Sequence, residues 1–427
     1  MEILKYPSRD EWAHIVERPH LDMKALRDTV EGLLTDIRTR GDEAVRECVA
    51  RFQGADITDL EVSRAEMEAA CDRVSPELKD ALSVARDNIA RFHESQVMNT
   101  TRVETTPGVV CWQKPVPIER VGLYIPGGTA PLFSTVLMLA VPARVAGCGE
   151  IILCTPCAPD GTVHPAVLYA ARLAGVTRVF KLGGVQAIGA MAFGTESVPA
   201  VSKIFGPGNQ YVTEAKQQVC RYGVAIDMPA GPSEVAVIAD ATSDLSFVAS
   251  DFLSQAEHGA DSQSILFTVD EAILEPLQAE IERQLALLPR RELAEKSLSH
   301  SRLVLLHDKD ELIDITNRYA PEHLIIQCAD YAEVADRVIN AGSVFLGAYT
   351  PESAGDYASG TNHTLPTSGY ARAYSGVNLD SFIRKITFQE ITREGLQRIG
   401  RTIETMAAGE GLDAHKNAVS IRLGKLK

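Results

Sequence analysis

Four stretches of this chain carry metal-ligating or proton-transferring side chains at spacings that chemistry can use. The first is SDLSFVASDFLSQAEHGADSQ (243–263), where Ser243 or Asp244 caps a predicted helix and Gly259 ends it. Leu245, Val248, Ala249, Phe252, Leu253 and Ala256 form its apolar face. At about 100° per residue, Gln255 and His258 leave the last turn roughly 60° apart on the flank of that face. A pair at this spacing can seat a metal ion; it also describes a helix-capping histidine beside a solvated glutamine. The second stretch is YAPEHLIIQC (319–328), with Glu322 and His323 side by side at the mouth of an apolar strand. Both are common general bases, and strand edges are where open α/β sheets place their sites. A proline-initiated turn with two polar flanks would read the same way. The third, TPESAGDYASGTNHTLPT (350–367), offers Asp356 and His363; the fourth, AAGEGLDAHKNAVSI (407–421), offers Glu410 and His415. Gln255, His258, Asp356 and His415 would make an N/O ligand set suited to zinc, with manganese or cobalt as alternatives. Spacing alone does not bring residues 255, 356 and 415 together.

Two weaker signals concern cysteine and glycine. Cys154 and Cys157 form a C-x-x-C pair. With no second such pair and no paired histidines nearby, it reads as two small residues at a strand end rather than half a zinc site. GLYIPGGTAP (122–131), KLGGVQAIGA (181–190) and FGPGNQYVTEAK (205–216) place glycines between a strand and a helix. Amides freed at a helix N-terminus can hold a pyrophosphate. The G-x-G-x-x-G fingerprint is absent, so glycine content alone supports only ordinary turns.

The elements that must position these residues follow from hydrophobic periodicity. Helices are predicted at 24–39, 63–72 and 76–94. From Val121 onward, short apolar runs ending in Gly or Pro alternate with helices. The runs are 121–126, 150–156, 178–184 and 203–208, with helices near 133–147, 164–175 and 185–193. A second set, 234–240, 264–270, 302–308, 323–328 and 343–347, alternates with helices near 244–258, 271–288, 310–319 and 331–341. Such alternation implies parallel sheets covered on both faces. Residues 350–380 read as a long loop, and loops of that length are usually functional. The tail reads as a helix from about 389 to 408, then a short strand-like NAVSIRL.

The 427 residues exceed one ordinary domain, and 45% hydrophobic with 23% charged residues is usual for a globular chain. A net charge of −15 argues against non-specific binding to nucleic acid or to anionic membranes. There is no run of about 18 uncharged apolar residues that would suggest a membrane span. The N-terminus lacks a signal-peptide core, and the eight cysteines lack framework spacing, so a reduced cytoplasm is expected.

Eight blocks bear a closer resemblance. VGLYIPGGTAPLFSTVLMLAVPARVAGC, KIFGPGNQYVTEAK, AIDMPAGPSEV, SQAEHGADSQ, YAPEHLIIQ, GSVFLG, PESAGDYASGTNHTLPT and LDAHKNAVSIR resemble, in order, the histidinol dehydrogenase family. RGDEAV and TPGVVCWQ extend the likeness more loosely toward the N-terminus. The resemblance implies oxidation of L-histidinol through an aldehyde to L-histidine, in two NAD-dependent steps. It implies zinc on Gln255, His258, Asp356 and His415, and a catalytic pair at Glu322 and His323. Dinucleotide contacts would fall on Tyr124, Gln186 and Asn209, and further substrate contacts on Ser233 and Glu410, with the zinc ligands and His323 also touching substrate. The implied fold is two Rossmann-like α/β/α domains without the glycine fingerprint, with N-terminal helices and an extended C-terminal tail. Residues 1–20 would be an arm, 21–123 with 235–377 the first domain, 124–234 the second, on the NAD side, and 378–427 a tail exchanged in a homodimer. Glu410 and His415 would then complete the partner's site. Related enzymes acting on other small polar alcohols, including sulfonated diols, share this scaffold; Glu410 suits an amino or imidazole group better than an anion. A zinc hydrolase would need no NAD.

Overall fold

A computed structural model of the chain describes residues 1–18, 23–127 and 130–426. The expected arm boundary at 20/21 and the Gly128-Thr129 part of the first glycine turn lie outside the described residues. In chain order the strands are β1 (Glu2–Lys5), β2 (Arg102–Thr106), β3 (Val109–Pro117), β4 (Arg120–Tyr124), β5 (Glu150–Cys154), β6 (Arg178–Phe180), β7 (Lys203–Phe205), β8 (Ala225–Ile226), β9 (Glu234–Ile238), β10 (Gln263–Thr268), β11 (Arg302–Leu305), β12 (His323–Ile326), β13 (Ser343–Leu346) and β14 (Ile383–Ile391). The chain divides into two compact units, residues 1–96 with 118–382 and residues 97–117 with 383–427.

The first unit contains two parallel sheets. One has the order β6-β5-β4-β7-β8, the other β1-β11-β10-β9-β12-β13. The nine runs read from sequence as strands are nine of the eleven described strands of these sheets, each ending one to four residues earlier than its apolar run; β1 and β8 fall outside those runs. Period-two alternation sorts the six-stranded sheet cleanly. Val235, Val237, Leu266, Leu303, Leu305 and Ile325 pack on one face with Val248 and Phe252 of helix Leu245–Ala256. Ala236, Ile238, Ile265, Phe267, Leu324 and Ile326 pack on the other with Leu312, Ile315 and Tyr319 of helix Lys309–Tyr319. Strands buried on both faces read as continuous apolar runs, and each fully buried Val, Leu or Ile contributes about 1.5–3 kcal/mol.

The apolar core does not divide as the expected domains do. Val30, Leu34 and Ile37 of helix Met23–Arg40, and Leu82 and Ile89 of helix Pro76–Glu94, share one cluster with Val121, Leu123, Ile152 and Ile204 of the five-stranded sheet. Residues 23–94 thus pack with 120–226 rather than with 235–377. The reason is shape as well as polarity: Gly189 leaves room where a Cβ would stand 3.0 Å from Ile37.

The second unit is an antiparallel sheet, β14-β3-β2, with helices Arg393–Gly409 and Asp413–Gly424. β3 pairs with β14 along its whole length, Val109 opposite Ile391 and Pro117 opposite Ile383. Residues 97–117, expected in the first domain, therefore belong with the tail. NAVSIRL is helical, not a strand. Gly400 of the preceding helix lets Leu423 approach closely enough that a Cβ would meet it at 2.9 Å, so the segment packs helix on helix. Likewise 350–380 is not a bare loop: it holds the helix Glu352–Tyr357, started after Pro351, and 3-10 turns at Tyr370–Arg372 and Leu379–Phe382.

Candidate active site

The site forms where β9 and β12 lie side by side, with His323 opposite Val235. From β9 the chain proceeds to β10 and β11 on one side and to β12 and β13 on the other, so this is the sheet's topological switch point. Glu234 opens β9 and His323 opens β12, which puts the site at the amino ends of the strands. Open α/β sheets usually bind ligands at the carboxyl ends; here the pair stands at the start of its strand, at the opposite edge.

One peptide group organises the acid–base pair. The N–H of Glu234 donates to Glu322 Oε2 at 3.0 Å, and its carbonyl oxygen lies 3.3 Å from His323 Nδ1. A carbonyl only accepts, so Nδ1 carries a proton, and Nε2 is the nitrogen that can lose and take one. Nε2 is buried without a hydrogen-bond partner, 3.6 Å from Asp356 Oδ1. The Glu234 carboxylate is itself clamped: Arg18 donates from Nε at 3.1 Å and from a terminal nitrogen at 2.7 Å, and stacks over Tyr319 at 4.2 Å. The main chain that seats Glu322 and His323 is therefore fixed through its own side chain.

Burial pushes the Glu322 carboxyl up to about 8. Burial also opposes charge on His323, but the carboxylates of Glu352, Glu322 and Asp356 outweigh it and lift the imidazole to about 10. Asp356 is held below the ordinary carboxylate range: burial works against this, but the contacts with His323, His363 and His258 prevail. A buried imidazole drawn toward protonation by three carboxylates marks a place that favours positive charge.

That charge could be a metal ion. Ligand atoms of His258, Glu352 and Asp356 all lie within 4.8 Å of one another. Gln255, in the last turn of helix Leu245–Ala256, is fully buried and touches the same group. The amide orientation that satisfies both its neighbours puts its nitrogen on Glu352 Oε1 and lets its oxygen accept from the Glu234 N–H at 2.7 Å. His258 follows the helix end, its N–H bonded to the Gln255 carbonyl at 3.3 Å, and its side chain is exposed. His363 is structural: Nδ1 donates to the Asp356 carbonyl at 2.9 Å, and Nε2 accepts from Thr135 Oγ1 at 3.0 Å.

The five-stranded sheet carries a second group at its own switch point, between β4 and β7, and here at the carboxyl ends. Tyr124 ends β4 buried, its hydroxyl accepting from the Gly184 N–H at 3.1 Å. Gln186 is buried in the first turn of helix Gly184–Phe193, and Gln53 Oε1 accepts from the Gly183 N–H beside it at 2.6 Å. Asn209 caps helix Gln210–Val219, accepting from the N–H groups of Tyr211 and Val212 at 3.1 Å each. Gly206 has φ +128°, and a Cβ there would stand 2.0 Å from the Tyr124 carbonyl, so the GPGN turn lies directly against the end of β4.

The sequence profile of the histidinol dehydrogenase family matches residues 16–423. A histidinol dehydrogenase of Bacteroides thetaiotaomicron is 62% identical over all of both chains, and one of Escherichia coli is 54% identical over 95% of this chain and 93% of its own. This chain belongs to the histidinol dehydrogenase family. The crystal structure of histidinol dehydrogenase from Elizabethkingia anophelis superposes with a TM-score of 0.98 at 53% identity, covering 100% of this chain and 98% of that one. An acetylating aldehyde dehydrogenase from Geobacillus thermoglucosidasius, at 16% identity and a TM-score of 0.50 over 89% of this chain and 96% of its own, shares the fold.

Of the residues expected from the family's motifs, Glu322, His323, Gln255, His258 and Asp356 come together at the amino edge of the six-stranded sheet. Ser233, directly before β9, stands at the same edge, partly buried. Tyr124, Gln186 and Asn209 come together at the carboxyl edge of the five-stranded sheet. Glu410 and His415 belong to the second unit; Glu410 caps helix Arg393–Gly409, His415 lies in the first turn of the last helix, and both are exposed. Sequence reasoning missed Glu352, Glu234 and Arg18. Glu352 was within reach of it, since Glu352 and Asp356 stand four apart and share a face of one helical turn. Arg18 gave no local signal. Cys154 and Cys157 are both buried free thiols, and Cys157 Sγ accepts from Gln53 Nε2 at 3.3 Å, in keeping with a packing role. Among the described residues no helix is long and apolar enough to cross a membrane.

Proposed function

We propose that this chain oxidises L-histidinol through its aldehyde to L-histidine, using NAD and a zinc ion held by Gln255, His258 and Asp356. The observation that carries the reading is the juxtaposition of a buried Glu–His pair with that donor set in a chain of this family. A carboxylate, an imidazole and an amide oxygen suit zinc, and the drive to place positive charge beside His323 fits a cation there. When bound, zinc orients and polarises the amino alcohol, and each of two NAD molecules accepts a hydride.

The chain's own residues move the protons. His323 acts through Nε2, because the Glu234 carbonyl keeps a proton on Nδ1; once Nε2 is unprotonated it takes the hydroxyl proton of the alcohol and later that of the aldehyde hydrate. Glu322, its carboxylate fixed by the Glu234 N–H, takes the proton of the water that adds to the aldehyde. Burial of this pair keeps bulk water from the reactive aldehyde between the two steps. Tyr124, Gln186 and Asn209 contact the dinucleotide, near the N-termini of helices Gly184–Phe193 and Gln210–Val219, where free amides and the helix dipoles favour phosphate. Ser233 contacts substrate. Glu410 and His415 complete the site of a partner subunit in a homodimer, His415 as the fourth zinc ligand and Glu410 toward the substrate's amine or imidazole.

The test is NADH formation from L-histidinol and NAD by zinc-loaded protein, with histidine quantified. Two NADH per histidine, lost to a chelator and restored by zinc, is expected; no turnover by folded, zinc-loaded protein would overturn the reading and direct the search to other small polar alcohols. Mixing a His323→Asn chain with a His415→Asn chain tests the shared site, since hybrid dimers regain activity only if the tail serves the partner.

A further inference from the structure

We infer that Glu352 is a positioning residue for the metal centre: its carboxylate fixes the Gln255 side-chain amide with the nitrogen turned away, so that the oxygen is the end presented to the ion. This rests on zinc being held at this site.

An amide nitrogen has no lone pair to give a metal, whereas the oxygen has two. A glutamine ligand therefore works in only one of two orientations of nearly identical shape. Free in solution the amide would sample both. In the amide orientation that satisfies both neighbours each end has a partner, the Glu234 N–H being shared between the Gln255 oxygen and Glu322 Oε2. The nitrogen donates to Glu352 Oε1, and the oxygen accepts from the Glu234 N–H at 2.7 Å, which occupies one of its two lone pairs and leaves the second. The reverse orientation would set the oxygen against a carboxylate and the nitrogen against an N–H, two repulsive contacts in place of two hydrogen bonds. In a fully buried side chain water cannot relieve that mismatch.

Glu352 is equipped to hold the amide. It is 1% exposed, and its second oxygen, Oε2, lies 3.3 Å from Ser254 Oγ, whose one proton is shared with the Asp251 carbonyl at 2.8 Å. It stands one helical turn before Asp356 on helix Glu352–Tyr357, so a single short element supplies one ligand and the orienter of another. Its Oε1 also lies 3.9 Å from His323 Nδ1, on the far side of the ring from the nitrogen that takes protons. Outer groups that orient a ligand are typically worth 10- to 100-fold in metal affinity.

The measurement is zinc affinity by chelator competition, with the visible spectrum of the cobalt-substituted protein as a report on the first coordination sphere. Glu352→Leu should weaken zinc about 10- to 100-fold. Glu352→Gln, whose amide oxygen can still accept from Gln255, should lose less and keep the parent's cobalt spectrum. The exchange Gln255→Glu with Glu352→Gln should bind zinc more tightly than Glu352→Leu, because the amide at 352 then donates to the carboxylate at 255. Parent-like affinity in Glu352→Leu would overturn the inference. So would a changed cobalt spectrum in Glu352→Gln, which would make Glu352 a ligand itself. If Glu352→Leu fails to fold, Glu352→Gln and the exchange decide. Failure of the parent protein to bind zinc would instead sink the metal reading on which the inference rests, and the two failures are distinct.

Discussion

The two parallel sheets of the first unit use the same topological device at opposite edges. In the five-stranded sheet the switch between β4 and β7 gathers Tyr124, Gln186 and Asn209 at the carboxyl ends of the strands. In the six-stranded sheet the switch between β9 and β12 gathers Glu234, Glu322 and His323 at the amino ends, with Gln255 and His258 at the end of a returning helix. The difference is electrostatic. Helices following parallel strands present their N-termini, with free amides and partial positive charge, at the carboxyl edge; their C-termini, with free carbonyls and partial negative charge, come back to the amino edge. The first edge suits a dinucleotide phosphate and the second suits a cation. A chain that must hold both can place them on two sheets and let each helix dipole favour the right charge.

Changes at one edge should leave the other intact, and this separation can be broken or sharpened by mutation. The largest effect is expected for Glu322→Gln, which removes the base for water addition. Oxidation of supplied aldehyde should fall about 10²- to 10⁴-fold while alcohol oxidation changes far less; equal loss in both steps would remove Glu322 from that role. Next is His258→Asn, which should lower zinc affinity by more than about 100-fold, beyond the usual cost of an outer-sphere change, without weakening NAD. Zinc content and NAD binding measured on the same preparation check both halves, and full zinc occupancy would show that His258 is no ligand.

The pH profile gives a smaller and graded signal. Glu322 must be ionised to act, and burial lifts its carboxyl to about 8. His323 must also give up a proton to act as base, so the aldehyde step should rise with pH through about 8 and continue to rise toward about 10. A rate flat from pH 6 to 9 would contradict the assignment. At the carboxyl edge, Gly206→Ala forces a Cβ to within 2.0 Å of the Tyr124 carbonyl at φ +128°. The backbone conformation alone costs about 1–3 kcal/mol and the clash adds to it; the displaced turn should appear as weakened NAD binding with unchanged zinc content. Asn209→Ala is the mildest, costing about 1 kcal/mol of stability through the lost helix cap, read as a lower melting temperature with a raised KM for NAD. Loss of zinc in either variant would mean the two edges are coupled.

Much of this molecule follows from its residues taken locally. The alternation of apolar strands and helices from Val121 onward, the apolar face that leaves Gln255 and His258 on one flank, and the Glu322-His323 pair at a strand start are all matters of spacing along the chain, and spacing is what a sequence records. Motif order also sufficed for the family. The sequence did not say which edge of which sheet carries the pair. That depends on β12 lying beside β9, a pairing across 84 intervening residues from Ile238 to His323. The roles of Glu234, Glu352 and Arg18 have the same origin: each acts on side chains distant in sequence, so each exists only once the strands are ordered. The β2–β3 hairpin was likewise illegible as part of the tail, because its partner β14 lies more than two hundred residues away. Local periodicity fixes the elements; strand order and burial fix which of their polar groups meet, because only in the packed interior does a misplaced polar group cost enough to enforce one arrangement.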